Sequence, residues 1–363
     1  MKSMPLALIA LLGFSITTMA SAAQAPTTTR KVVLEKQDKG YRWKLVEAPV
    51  PVPGEHQVLI HVRAIALNRG DLEMLAQDEG RDSSGLVVGS DAAGDIVAVG
   101  KQVKGFATGD KITSLYFKNW TDGPPSREKM TAALGASVDG VFGDYIVLDD
   151  TSVAPMPKGL SYEEAATLPT AGLTGWMASA GQRPLGKNDV VLVQGTGGVS
   201  VFALQFAHRS GARVIVTSSS DDKLRRAQEI GARDGINYRS VPAWSEQVLK
   251  LTGQHGADIV VDVGGKDTLE QSVKSLAYLG TLSIVGGLTG YGGNIPSLGL
   301  LMKTARAQGV FVGSRVDYTR MGEFITRHKL HPVIDKVFTF EEREAALKHL
   351  GSGNFVGKIV ITL

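Results

Sequence analysis

Val190-Val191-Leu192-Val193-Gln194-Gly195-Thr196-Gly197-Gly198-Val199-Ser200 is the stretch on which the fold turns. A short apolar run reads as a buried strand, the glycines as a tight turn, and Ser200 to Arg209 as a helix. Glycine permits the turn and lets backbone N–H groups approach a pyrophosphate, whose charge then sits on the positive end of the helix. Ser200 stands where the dinucleotide-binding fingerprint usually has its third glycine, and a residue this small still allows close helix–strand packing. The plainer alternative is a tight turn with no ligand.

The flanking rhythm favours the ligand-binding reading. Arg213 to Thr217 is a strand, Asp221 to Ile230 a helix closed by Gly231, and Ile259 to Val263 and Gly280 to Val285 are further strands. Strands alternating with helices imply βαβ units on a parallel sheet. After Pro296 come a helix over Leu298 to Ala307, a strand over Gly309 to Gly313, a helix over Tyr318 to His328 and a closing strand over Gly357 to Ile361. Upstream, from Lys31 to about Val153, short alternating apolar runs are broken by Gly, Pro and Asp, the pattern of an irregular antiparallel β domain. The division is therefore a β domain over 31–154, a nucleotide-binding domain over 155–300, and a return to the first domain over 301–363.

Choice between the nicotinamide dinucleotides normally falls at the end of the second strand, where an acid bonds the ribose 2′-hydroxyl of NAD. Here Thr217 runs into Ser218-Ser219-Ser220 and then Asp221-Asp222-Lys223. With no acid at the strand end, hydroxyls and Lys223 accommodate a 2′-phosphate, so NADP (NADPH) is expected over NAD. Asp221 and Asp222 oppose this if either swings back, but acids also suit the first turn of a helix.

At 363 residues the chain exceeds one comfortable core. Charged residues at 21% and hydrophobic ones at 43% exclude disorder as the main state. A net charge of +3, with no Lys/Arg run interleaved with aromatics, argues against a nucleic-acid partner. The absence of cysteine excludes disulfides, thiolate zinc sites and cysteine nucleophiles. Lys2, the apolar stretch Pro5 to Phe14 and the small residues ending in Ala23-Gln24-Ala25 have the layout of a signal peptide over 1–25, hence a periplasmic or secreted protein. Translation from Met19 instead gives no signal and a cytoplasmic one. The stretch is too short for a membrane span, which needs about 20 apolar residues.

Five blocks carry a resemblance: Leu67-Asn68-Arg69-Gly70-Asp71, Gly89-Ser90-Asp91-Ala92-Ala93-Gly94, Leu168-Pro169-Thr170-Ala171-Gly172-Leu173-Thr174, the Gly195 loop, and Val356-Gly357-Lys358-Ile359-Val360. In this order they resemble the medium-chain dehydrogenase/reductase superfamily, in its zinc-type alcohol dehydrogenase and quinone oxidoreductase branch, over nearly the whole chain after residue 30. The resemblance implies an α/β fold with a GroES-like β domain and a Rossmann doubly wound parallel-sheet domain, the nicotinamide in the cleft between them. It also implies a homodimer through sheet edges near Leu282–Leu288 and Val310–Gly313. A narrower resemblance, to a bacterial subgroup labelled zinc-dependent or NAD(P)-dependent alcohol dehydrogenases, rests on Ser218 to Asp221, Ile236-Asn237-Tyr238, Val312 to Arg315 and Trp120 to Pro124. Zinc-bearing relatives place metal ligands where this chain has Asn68, Ser90 and Thr170. None of these offers a thiolate or an imidazole, so no tetrahedral zinc is expected. Only His328 and His331 have helical ligand spacing, and they read better as exposed helix-end residues.

Without a Lewis acid, oxidising an ordinary alcohol is hard. Hydride addition to a quinone or an α,β-unsaturated carbonyl asks only for donors toward the oxyanion and a proton source. The catalytic candidates are Asn68, Asp71, Asp91 and Thr170, with Asp71 alternatively a turn acid bonding backbone and Asp91 alternatively an ordering residue for Arg69 or Arg315. The cofactor candidates are Gly195, Thr196, Gly197, Gly198 and Val199 in the loop, Ser218, Ser219, Lys223 and Tyr238 at the adenosine end, and Gly264, Gly286 and Gly313 at strand ends. The resemblance adds Thr174, Ser314 and Lys358. Tyr116 and Trp120 lie in a loop able to shape the pocket, but such aromatics more often pack, and they are left outside the site. Two other readings stay open: a zinc-free alcohol or aldehyde dehydrogenase, and an NADPH-binding module without turnover.

Overall fold

The computed structural model describes residues 26–77 and 80–363. The apparent signal over 1–25, Met19 included, lies outside the described residues.

The decisive stretch forms a fully buried strand, Val190–Gln194, followed by the helix Gly198–Arg209. In chain order the strands are β1 (Thr28–Lys36), β2 (Tyr41–Pro49), β3 (Gln57–Ala66), β4 (Asp91–Val99), β5 (Lys111–Ser114), β6 (Tyr145–Asp149), β7 (Val153–Pro155), β8 (Val190–Gln194), β9 (Arg213–Ser218), β10 (Asp234–Asn237), β11 (Ala257–Asp262), β12 (Leu276–Ile284), β13 (Arg306–Gly309), β14 (Ile334–Thr339) and β15 (Lys358–Thr362). β8 to β13 make one sheet in the order β10-β9-β8-β11-β12-β13, parallel throughout. Counted from β8 this is the doubly wound order 3-2-1-4-5-6, which opens a crevice at the carboxyl ends of β8 and β11, where the winding reverses.

The second sheet runs β14-β15-β3-β4-β5-β7 with β6 also on β3, while β1 and β2 form a separate hairpin. β15 is antiparallel to β3, so the chain end returns to the first domain.

Two boundaries differ from the sequence reading. The last strand of the parallel sheet is Arg306–Gly309, not Gly309 to Gly313, so the nucleotide-binding domain continues past residue 300. The apolar Val310-Phe311-Val312 looks like a strand, but Val312 sits at φ 59°, which ends extended structure. The preceding helix is Ser297–Lys303 rather than Leu298 to Ala307, because Thr304 turns left-handed at φ 48°.

Alternation along β8, β9 and β11 sends Val191, Val193, Val214 and Val216 to one face and Val190, Leu192, Ile215 and Val260 to the other, each beneath helices. A further core spans both domains, joining Ala64, Ala66 and Val360 of the first to Phe202 and Phe206 of the second. Phe206, wholly buried, lies 5.3 Å from Trp176 and 5.8 Å from Phe324. We expect Phe206→Ala to destabilise the protein by about 3–5 kcal/mol through the cavity it leaves. Denaturant unfolding of the chain lacking residues 1–25 checks this, with an unchanged midpoint as the contrary result.

Candidate functional site

The crevice becomes a site because the first domain closes over it, leaving a cleft of about 610 Å³. On the sheet side, Gly195 takes φ 73° and its N–H donates to Thr217 O at 2.7 Å, which turns the chain sharply off β8. The Ser200 hydroxyl donates back to Gln194 O at 2.7 Å, so the residue replacing the third glycine ties helix to strand. Gly195, Thr196, Gly197, Gly198 and Val199 all line the cleft beside the first turn of the helix, whose N–H groups have no intrahelical partners.

Farther along the same wall lie Ser218, Ser219, Lys223 and Tyr238. Asp221 and Asp222 do not reach the cleft: Asp221 accepts from Asn237 Nδ2 at 2.8 Å, and Asp222 pairs with Arg225. Lys223 Nζ donates to Gly353 O, and partial burial lowers its pKa.

The opposite end holds the catalytic candidates Asn68, Asp91 and Thr170 in one network. Lys358, 3% exposed, reaches from β15 to donate to Leu67 O and, at 2.6 Å, to Asn68 Oδ1. An ammonium only donates, so this contact fixes the Asn68 amide with its nitrogen turned away from Lys358, toward Ser90. Asn68 Nδ2 donates to Ser90 Oγ at 3.3 Å, and Ser90 Oγ to Asp91 Oδ1 at 2.8 Å. Thr170 Oγ1 donates to the same Asp91 oxygen at 2.5 Å. Thr170 is aimed there by a wide helical turn over Leu168–Gly172, in which Gly172 N reaches back five residues to Thr167 O at 3.3 Å. Gly198 admits the Lys358 stem, since a Cβ there would lie 2.6 Å from Lys358 Cδ. Burial lowers the Lys358 pKa against the pull of Asp91 and Asp71.

Asp71 lines the cleft and its carboxylate caps the helix Arg69–Ala76, accepting the Asn68 N–H at 2.7 Å. Burial pushes its pKa up to about 6, opposed by that hydrogen bond and by Lys358.

Several candidates do not themselves line the cleft. Asp91 is wholly buried behind the cleft and orders Ser90 and Thr170. It does not order Arg69, which faces Glu73, or Arg315, which lies over Phe106. Gly264, Gly313 and Ser314 do not line the cleft. Gly264 N donates to Asp262 Oδ1, Gly313 packs against Leu173 and Met177, and Ser314 caps the helix Arg315–His328. For Gly313 the reason is that the expected strand ran to residue 313, four residues beyond the end of β13 at Gly309. Gly286 and Thr174 do line the cleft, and so do Tyr116 and Phe311, which the sequence reading passed over. Tyr116 was visible as a loop aromatic, whereas Phe311 was hidden in the apparent strand.

A catalytic zinc does not fit this end of the cleft. The ligand positions offer an amide and two hydroxyls, and the Lys358 ammonium stands against that amide, where a second cation is repelled. Among the described residues no group of three or more His, Asp or Glu is arranged to hold a metal. His331 pairs with Glu164 at 2.8 Å and His328 stacks on Phe324.

Residues 54–158 match the alcohol dehydrogenase GroES-like domain family and residues 198–327 the zinc-binding dehydrogenase family. A zinc-type alcohol dehydrogenase-like protein of Schizosaccharomyces pombe is 40% identical over 326 residues, 86% of this chain and 91% of the relative. An acryloyl-coenzyme A reductase of Sulfurisphaera tokodaii is 28% identical over 342 residues, 92% of this chain and 99% of the relative. A crystal structure from Sinorhizobium meliloti 1021, assigned to the alcohol dehydrogenases, superposes with a TM-score of 0.87 at 38% identity, covering 94% of this chain and all of the other. The chain belongs to the medium-chain dehydrogenase/reductase superfamily, and it is an NAD(P)-dependent oxidoreductase of the alcohol dehydrogenase/reductase type.

Asp71 gives a pH test of the site. The unfolded chain releases this proton near pH 4, the folded one near pH 6, so its contribution to stability falls as pH rises between those values and stays low above them. Asp71→Asn keeps an oxygen for the Asn68 N–H and removes that slope. Measured by urea unfolding, the variant should gain about 1–3 kcal/mol on wild type between pH 4.5 and pH 8. A difference independent of pH contradicts a carboxyl held neutral by burial.

Proposed function

We propose that the protein is an NADPH-dependent reductase of small activated acceptors, quinones or α,β-unsaturated carbonyl compounds, working without zinc. The observation that carries this reading is the Lys358–Asn68–Ser90–Asp91–Thr170 network in the place where zinc-bearing relatives hold their metal. A bound nicotinamide supplies the hydride. The chain supplies the loop Gly195–Val199 for the pyrophosphate and the second N–H of Asn68, the one not given to Ser90, as a donor toward an acceptor oxygen. Ordinary alcohol oxidation needs stabilisation of a developing alkoxide, and the network offers no Lewis acid for it. A conjugated acceptor spreads the developing charge and needs only hydrogen bonds.

Preference for NADPH is supported by Lys223 and two serine hydroxyls along the cleft, with both nearby acids turned away. A homodimer through the β13 edge belongs to the same proposal, favoured by exposed Tyr278, Leu279, Leu298, Leu301 and Met302 near that edge.

Fluorescence titration with NADPH and NADH, followed by NADPH consumption with a panel of quinones, enones and simple aldehydes, tests the proposal. We expect tighter NADPH binding and turnover on conjugated acceptors only. Lys223→Ala should weaken NADPH binding about 10- to 100-fold while leaving NADH binding nearly unchanged, the loss of one charge-assisted phosphate contact. Equal loss for both cofactors contradicts a 2′-phosphate role, and binding without turnover on any acceptor contradicts the reductase.

A further inference from the structure

We infer that Tyr116 is the proton donor of this reaction, with the acceptor lying between its hydroxyl and the Asn68 amide. The inference rests on the reductase reading above and adds to it the acid that the network lacks. Ser90 and Thr170 both spend their hydroxyl protons on Asp91. The Lys358 ammonium is buried and engaged by Leu67 O and Asn68 Oδ1, and Glu73 faces Arg69. Asp71 is turned to the backbone of its own helix. Among the described residues no histidine lines the cleft. Tyr116 shares the cleft with Asn68, Ser90 and Thr170, and its hydroxyl has no hydrogen-bond partner among the described residues. A phenol is also a far stronger acid than the aliphatic hydroxyls of Ser or Thr.

Its ring is held from both domains. Phe117 stands edge-on to it at 4.7 Å, and Phe311 approaches at 5.8 Å from the chain leaving β13. Phe311 is followed by Val312 at φ 59°, a left-handed conformation that β-branched residues rarely adopt. Backbone strain of this kind persists where the surroundings enforce it and often marks a functional position. Here the turn sets Phe311, 56% exposed, against the Tyr116 ring. Burial, with the negative charges of Asp91, Asp71 and Glu73, pushes the Tyr116 hydroxyl up to about 12, so it stays protonated through neutral pH.

The step balances simply. An enone takes a hydride at its β-carbon and its π electrons move to the carbonyl oxygen as an enolate. The Tyr116 O–H bond then breaks, its proton joins the α-carbon, and the tyrosinate recovers a proton from water. For a quinone the proton goes to oxygen. Each acceptor gains one hydride and one proton, a two-electron reduction.

The test uses NADPH-loaded protein and whichever of 2-cyclohexen-1-one and 1,4-naphthoquinone the wild type reduces. Tyr116→Phe removes a hydroxyl that bonds no other group and keeps the ring packing, so it should fold as wild type does. We expect kcat to fall about 10²- to 10⁴-fold, the usual contribution of a general acid, while KM and the NADPH Kd from fluorescence titration stay within about threefold. Tyr116→Leu, which also removes the ring, should raise KM as well. A kcat for Tyr116→Phe within about fivefold of wild type, or equal changes in kcat and KM for the two variants, overturns the inference and leaves the reductase standing. Wild type that reduces neither acceptor overturns both.

Discussion

A buried ammonium must be surrounded by oxygen, because leaving its charge unpaired away from water costs several kcal/mol. Lys358 imposes that requirement on this protein. Its stem lies against Gly198 at the start of the phosphate-loop helix, and its tip reaches Leu67 O and Asn68 Oδ1 at the start of another helix, in the other domain. The same lysine begins the last strand, whose neighbour Gly357 donates to Thr196 O at 3.0 Å. The chain end thus stitches the dinucleotide loop to the catalytic wall. The orientation of Asn68 follows, and so does the hydroxyl sequence that ends on Asp91.

The arrangement also explains two buried acids in one small region. Asp91 accepts hydrogen bonds from Ser90 and Thr170, while Asp71 caps a helix and feels the same lysine from another side. A metal-bearing cleft concentrates positive charge on an ion. On the zinc-free reading proposed above, this one spreads it through a fixed lysine and its hydrogen bonds, which would suit acceptors whose developing charge is already delocalised.

The parallel sheet was legible because its signal is local: Val190 to Gln194 is apolar throughout, and glycines stand where a tight turn needs them. The loop residues and Ser218, Ser219 and Lys223 followed from spacing along one βαβ unit, and all of them line the cleft. Legibility failed where backbone torsion overrode residue type. Val310-Phe311-Val312 has strand composition, yet the left-handed Val312 ends it, which misplaced Gly313. It also failed where contacts are distant in sequence. Nothing near Asp91 announces that it meets Thr170, 79 positions away, or that Lys358 meets Asn68 across 290.

The central claim is that a lysine-centred network stands where relatives carry zinc, and metal analysis of the active protein tests it most directly. Purified from zinc-supplemented culture, dialysed and assayed with NADPH and its best acceptor, the protein should hold far less than one zinc per chain by mass spectrometry and keep its turnover in a strong chelator. One zinc per chain, lost to chelator together with the activity and restored by adding the metal back, would contradict the account.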